Sequence, residues 1–203
     1  MRLTTASSVA LALAASLVSS LVLAVPKVGE PAPAFSATDS KGKALTLGDY
    51  KGKYVVLEWT NADCPFVKKH YGSGNMQSTQ KAAVDQGAVW LSVISSAPGK
   101  QGHVDGAQAN ALTAARSAAP TQVLLDPKGE LGRLYEAKTT PHIFIINPEG
   151  KLIYAGAIDD TPSADTADIA GAKNYVKTAL AEAKAGKPVT DAVTQPYGCS
   201  VKY

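Results

Sequence analysis

An apolar run, Tyr54-Val55-Val56-Leu57-Glu58-Trp59, passes through the polar turn Thr60-Asn61-Ala62-Asp63 into Cys64-Pro65. The run does not alternate with polar residues. Only Glu58 interrupts it, as expected of a central parallel strand covered on both faces. Proline is tolerated at the first helical position because its missing N–H has no partner there anyway. Cys64 is therefore expected at a helix N-terminus, where unpaired N–H groups and the positive dipole end favour a thiolate. The thiolate is the nucleophilic form of cysteine. This placement points to sulfur chemistry rather than to an inert core thiol.

The rest of the chain supplies layers for that strand. Residues 26–34 carry too many prolines for a helix or central strand and read as an extended arm. Asp39-Ser40-Lys41-Gly42-Lys43 is a turn between two short strand-like pieces. Pro65 to about Tyr71 reads as helix, interrupted by Gly72-Ser73-Gly74. Asn75 can cap a second helical piece that ends near Gly87. Residues 88–94 and 121–125 read as strands. Residues 105–118 read as a helix with Ala109, Leu112, Ala115 and Ala119 on one face. A short helix over 130–137 precedes a hairpin of residues 143–146 and 152–157 around Asn147-Pro148-Glu149-Gly150. One amphipathic helix is expected over 168–184, then a tail with Pro188, Pro196 and Gly198. Strands alternating with helices, then a hairpin and a final helix, give an α/β fold with a mixed sheet.

The N-terminus reads separately. After Met1-Arg2, residues 9–25 are Ala, Leu and Val with a few Ser, and Val22-Leu23-Ala24 offers small residues for cleavage. This predicts a signal peptide over 1–24, a domain over 25–187 and a tail over 188–203 carrying Cys199. The competing reading is an uncleaved anchor helix, since the stretch approaches the ~20 residues a span needs. Export implies a periplasmic or secreted protein, with no membrane attachment after cleavage. The whole chain carries +3 at pH 7; the leader holds one Arg and no acid, so the mature charge is +2. That balance gives no basic stripe for nucleic acid. Cys64 and Cys199 are the only cysteines, in a compartment where a disulfide persists.

Several segments, in order, resemble the peroxiredoxin-like (AhpC/TSA, redoxin) branch of the thioredoxin superfamily. They are the arm Val28-Gly29-Glu30-Pro31-Ala32-Pro33-Ala34-Phe35 with Asp39-Ser40-Lys41-Gly42-Lys43, then Leu47-Gly48-Asp49-Tyr50-Lys51-Gly52-Lys53. Cys64-Pro65, Leu124-Leu125-Asp126, Leu134-Tyr135, Thr139-Thr140-Pro141 and Asn147-Pro148-Glu149-Gly150-Lys151 follow. The resemblance spans residues 28–184. Asp63-Cys64-Pro65-Phe66-Val67-Lys68 and Gly198-Cys199-Ser200-Val201-Lys202-Tyr203 are similar to a narrower group with one cysteine at the first redox position and a Gly-Cys-Ser tail. It implies a thioredoxin-like fold: a mixed central sheet flanked by helices, with an N-terminal arm and a C-terminal tail.

The resemblance also implies roles. Cys64 is the nucleophile. Thr140-Pro141 is the cis-proline loop, which lies against the nucleophile and offers backbone groups to a thiol substrate; Thr140 and Pro65 are then substrate-facing. Glu58 occupies a position where the superfamily often keeps a buried acid as proton acceptor for the second redox sulfur. Burial raises a carboxyl pKa. The alternative is a satisfied structural glutamate. Val67 stands where a thioredoxin has its second cysteine. Asn61 and Leu57 stand where a peroxiredoxin has threonine and proline, and Arg116 and Arg133 lie in no recognisable site motif. These departures favour disulfide exchange over fast peroxide reduction.

Cys199 can resolve Cys64, form a permanent staple or stay free. A bond between the two is expected; it would close a loop of about 136 residues, worth on the order of 4–5 kcal/mol. Lys68, one helical turn after Cys64, reads as a surface lysine. His142 reads as a structural histidine. His70, His103 and His142 are scattered, so no metal site and no cofactor are expected. Gly72-Ser73-Gly74 has no following Lys-Ser/Thr pair and is no phosphate cradle. The sequence therefore predicts an exported thiol oxidoreductase acting on thiol or disulfide proteins, or slowly on peroxide as an antioxidant. The alternative is a non-catalytic binding or metal-handling module with a structural Cys64–Cys199 bond.

Overall fold

The computed structural model describes residues 26–203. The expected signal segment, residues 1–24, lies outside the described residues. Strand β3 (Val55–Trp59) is buried at every position. Because side chains alternate across a strand, it feeds two cores. Val55, Leu57 and Trp59 enter one, with Phe35, Tyr135 and Phe144. Val56 enters the other, with Cys64, Val67, Trp90 and Ile143. Glu58 shares the Val56 face.

Around β3 the sheet is mixed, as expected. β1 (Ser36–Asp39), β2 (Ala44–Thr46), β4 (Val89–Ile94), β5 (Gln122–Leu125), β7 (His142–Ile146) and β8 (Leu152–Gly156) complete it. The strand order is β2-β1-β5-β4-β3-β7-β8. β3 and β4 run parallel, with Trp59 opposite Val93, and β4 continues parallel to β5. β7 runs antiparallel to β3, with His142 opposite Trp59. The carboxyl end of β3, where Cys64 follows, thus lies beside the start of β7. Open α/β sheets place their sites at this edge.

Helix α1 (Pro65–Gly72) and α2 (Asn75–Asp85) cover the Cys64 face. The N-cap of α2 is Gly74, in the left-handed region at φ 75, one residue before the expected cap Asn75. Helix α3 (Gly106–Ala115) is shorter than expected and buries only Ala109. Its Ala/Leu stripe contributes little to the core, because alanine-rich helices look apolar all round. Helix α4 (Glu130–Leu134) follows β5.

The expected long last helix is two pieces. A 3-10 turn spans Thr166–Ala170, and α5 spans Tyr175–Lys184. The chain breaks at Gly171, and Asn174 caps the second piece through a side-chain acceptor to the Lys177 N–H. An amphipathic pattern does not show such a break; a local capping residue inside it does.

Both ends of the described residues lie on the sheet. The arm pairs with the β8 hairpin, through Gly29 N–H to Leu152 O at 2.8 Å and Ala32 N–H to Gly150 O at 2.9 Å. The tail first follows β8, bridging Ala155 to Val193. Thr194 accepts from Ala157 N–H at 2.9 Å. Tail and loop then meet in a two-stranded ribbon, β6 (Thr139–Thr140) with β9 (Cys199–Ser200).

Candidate active site

Cys64 is the N-cap of α1, with Pro65 at the first helical position, as the sequence predicts. Asn61 builds the preceding turn. Its Oδ1 accepts from Asp63 N–H at 2.9 Å, and its Nδ2 donates to Gln101 O at 3.2 Å. A Cβ on Gly102 would lie 2.3 Å from Asn61 Oδ1, so glycine lets that loop close over the turn. The Cys64 side chain is buried. Its thiol donates to Thr140 O at 3.1 Å.

The Thr140–Pro141 peptide is cis. Thr140 is the residue paired with Cys199, and its hydroxyl donates to Cys199 O at 3.5 Å. Gly198 makes this approach possible. It lies at φ 135, and a Cβ there would sit 2.1 Å from Thr140 O. The tail therefore brings the second sulfur to the first. The two cysteines are free thiols that meet at Thr140, which accepts from the Cys64 thiol and pairs with Cys199.

That contact ranks the two sulfurs. Burial pushes the Cys64 thiol up. The Cys199 thiol, the Val67 and Cys199 backbone and the Thr140 side chain oppose it, and the net is a thiol held below its usual range. Burial also pushes the Cys199 thiol up, and here the Cys64 sulfur adds to it while Lys202 only partly offsets it. Cys64 is the sulfur that ionises first.

Glu58 sits under α1 and α2, against Tyr71 and Gln80. Its carboxylate is completely used. Oε1 accepts from Tyr71 OH at 2.8 Å. Oε2 accepts from Gln80 Nε2 at 3.0 Å, Trp90 Nε1 at 2.8 Å and Ser92 Oγ at 2.8 Å. These four donors tie β3, β4, α1 and α2 together. This matches the structural alternative for Glu58 better than a free proton acceptor. Pro65 and Lys68 are exposed. His142 is buried; it accepts at Nδ1 from Lys138 N–H and lies against Phe144. Burial and then Lys138 push its pKa down to about 3. Neither Arg116 nor Arg133 reaches Cys64: Arg116 lies over the Tyr71 ring and Arg133 over the Tyr203 ring. Among the described residues, no group of three His, Cys, Asp or Glu is arranged to hold a metal.

A second cluster went unread in the sequence. Lys69 and His70, inside α1, are buried against Asp159, with Lys69 Nζ and His70 Nε2 each 3.9 Å from Asp159 Oδ2. Lys69 also donates to Thr161 O at 2.8 Å. Tyr197, two residues before Cys199, donates its hydroxyl to Asp159 Oδ1 and meets His70 Nε2 at 3.1 Å. With that proton committed to Asp159, the network assigns the N–H of His70 to Nε2, and Nδ1 accepts from Asn75 Nδ2 at 2.9 Å. Burial, opposed by Asp159 and aided by Lys69, pushes His70 down to about 4, so it is neutral at pH 7. The only sequence signal was the adjacency Lys69-His70 on a helix otherwise facing the core.

The AhpC/TSA family model matches residues 28–155, more than half of the chain, and the protein belongs to that family. Thiol-disulfide oxidoreductase ResA of Bacillus subtilis is 30% identical over 132 residues, 62% of this chain and 64% of the relative. The match thus spans less than two thirds of that relative's length. The thioredoxin domain of a thiol-disulfide oxidoreductase from Bacteroides vulgatus superposes with a TM-score of 0.50 at 25% identity, covering 64% of this chain and 87% of that one. An uncharacterized conserved protein from Geobacillus kaustophilus aligns further, with a TM-score of 0.72 over 87% of this chain and 92% of that one, at 23% identity. The fold is thioredoxin-like, in the peroxiredoxin-like branch of the superfamily.

Proposed function

We propose that this protein is a thiol-disulfide oxidoreductase with Cys64 as nucleophile and Cys199 as resolving cysteine. The observation that carries the reading is the β6–β9 ribbon, which pairs Cys199 with Thr140, the residue whose carbonyl accepts from the Cys64 thiol. The chemistry balances with these two sulfurs alone. The Cys64 thiolate attacks one sulfur of a substrate disulfide, forming a mixed disulfide and releasing one substrate thiolate. Cys199 loses its proton as its sulfur attacks Cys64 Sγ, and the second substrate thiolate leaves. The protein dithiol is oxidised to a disulfide and the substrate disulfide is reduced to two thiols. A dithiol reductant restores the protein by the reverse exchange, and in the opposite direction the oxidised pair oxidises substrate thiols.

The substrate class is a protein carrying a disulfide or thiol pair, in keeping with the names of the Bacillus and Bacteroides relatives. Thr140 and Pro141 border the nucleophile, and Pro65 is the exposed residue beside it. Export to the periplasm or medium, with cleavage near Ala24, rests on the apolar leader. Peroxide reduction calls for a donor to orient the peroxide beside the thiolate, and neither arginine hydrogen-bonds Cys64; exchange is the reading we carry. The test is to replace Cys199 with Ser and add a disulfide substrate. Accumulation of a mixed disulfide on Cys64 supports the assignment. A folded variant that forms no adduct overturns it and returns the chain to a binding role.

A further inference from the structure

The tail that carries Cys199 is tied on each side of the sulfur; just past it, Val201 N–H donates to Lys138 O at 3.1 Å and Lys202 O accepts from Ala97 N–H at 2.8 Å. Past Cys199, the Tyr203 hydroxyl donates to Ala137 O at 2.9 Å, and its ring lies against Gly129 and Gly132, where any Cβ would collide with it. Before Cys199, the ring of Tyr197 meets Phe66 edge-on at 5.8 Å, with Lys69 Nζ 5.7 Å from its centroid. Its hydroxyl enters the buried Asp159 cluster. Asp159 Oδ2 has no hydrogen-bond partner among the described groups, and Lys69 is 3.9 Å away.

A buried lysine, histidine and aspartate are costly to desolvate and contribute little net stability compared with an apolar core. Here Asp159 and His70 converge on one hydroxyl of the tail, with Lys69 beside Asp159. Phe66 and Lys69 belong to the helix that Cys64 opens, so the cluster measures the tail against the same element that holds the nucleophile. Gly198, forced against Thr140 O, lies between Tyr197 and Cys199 and transmits that position directly.

We propose that Asp159 and Tyr197 form a latch, backed by Lys69 and His70, that sets the effective concentration of Cys199 at Cys64. They are positioning residues for the resolving step, and the proposal rests on the reading of Cys199 given above. Neither touches the reacting sulfurs. The latch adds to the β6–β9 pairing in restricting the tail to the position facing Cys64, which raises the rate and equilibrium of the intramolecular step.

The experiment is a redox equilibrium of the full chain with reduced and oxidised glutathione, read by intact mass after acid quenching. It is run on the wild type, Tyr197→Phe and Asp159→Asn. Formation of the Cys64–Cys199 disulfide in the wild type upholds the reading of the pair, and its absence refutes that reading. Given a wild-type disulfide, the equilibrium constant for its formation falls about 10-fold or more in Tyr197→Phe, as expected for a hydrogen bond to a charged group. Asp159→Asn moves in the same direction. Tyr197→Phe keeps the ring contacts and decides the matter if Asp159→Asn fails to fold. A second readout separates positioning from general damage. In a Cys64→Ser background, adding Tyr197→Phe raises the alkylation rate of Cys199 severalfold while the melting temperature stays within a few degrees. An equilibrium constant for Tyr197→Phe within twofold of the wild type overturns the latch. So does a Cys199 alkylation rate that does not change.

Discussion

Cys64 and Cys199 meet at Thr140 but are held in opposite ways. Cys64 is fixed by packed secondary structure: β3 buried on both faces, the Asn61 turn, and α1 seated on the second core. Cys199 is fixed by a two-residue strand, one glycine and a tyrosine at either side. The scaffold sulfur is pre-organised and deeply buried. The tail sulfur is half-buried on a segment whose attachments are discrete and can be released one at a time. The difference suits exchange. The nucleophile keeps its geometry, while its partner leaves to admit a substrate and returns to displace it. It also predicts two kinds of mutant: scaffold changes cost global stability, and tail changes alter the sulfur pair while the domain stays folded.

The largest effect belongs to the scaffold. Glu58→Ala leaves Tyr71, Gln80, Trp90 and Ser92 without their common acceptor. Stability should fall by about 3 kcal/mol or more, since each buried donor left unpaired costs on the order of 1–3 kcal/mol. Chemical denaturation measures it. A loss under about 1 kcal/mol would mean that the four-donor contact does not organise this core.

Acid is the next lever, and it acts on both regions. His70 backs the tail latch and His142 starts β7; their pKa values are pushed from 6.5 down to about 4 and about 3. Both are neutral when folded. Below pH 6.5 the unfolded chain takes up protons that the folded chain refuses, so stability is lost as pH falls towards 4. The slope is roughly 1.4 kcal/mol per pH unit for each histidine. Urea midpoints at pH 7, 6 and 5 should decline in that order. Equal midpoints across this range would contradict neutral burial of these rings.

A tail mutant comes third. Gly198→Ala introduces a Cβ 2.1 Å from Thr140 O at a left-handed φ, so the ribbon has to open. The strain is on the order of 1–3 kcal/mol, charged to the docking of the tail rather than to the domain. The melting temperature should hold within a few degrees while Cys199 becomes readily alkylated. A variant whose Cys199 stays as protected as in the wild type would erase the distinction between scaffold and tail.

The smallest effect is at the far anchor. Arg133→Ala removes a cation stacked 4.6 Å from the Tyr203 ring. Such contacts contribute about 0.5–1 kcal/mol at exposed sites. Cys199 alkylation should rise two- to fivefold, less than for Gly198→Ala. The reverse ranking would place the main anchor at Tyr203.

The same division separates what the sequence made legible from what it did not. The run ending at Trp59, the Cys64-Pro65 helix start, the hairpin at Asn147-Pro148-Glu149-Gly150 and the arm at residues 26–34 are local signals, and the structure reproduces them. The cis peptide before Pro141 followed from the family resemblance and is present. The tail route was not legible, because it depends on single residues meeting across long separations, such as Tyr197 with Asp159 and Tyr203 with Ala137. Nothing in residues 186–203 has a period that records those partners. Glu58 could be read either as proton acceptor or as structural acid until its donors were known, and all four come from elsewhere in the chain. The break at Gly171 was masked by the amphipathic pattern on either side of it.

The central claim is that the two sulfurs act in sequence, one on the scaffold and one on the tail. Intact mass spectrometry of the reduced wild type and of Cys199→Ser, each exposed to oxidised glutathione, tests it most directly. The account predicts that the wild type loses two hydrogens and carries no glutathione. Cys199→Ser is predicted to carry one glutathione, mapped to Cys64, and Cys64→Ser to show no internal disulfide. A wild type that accumulates the glutathione adduct on Cys64 without forming the internal bond would contradict it.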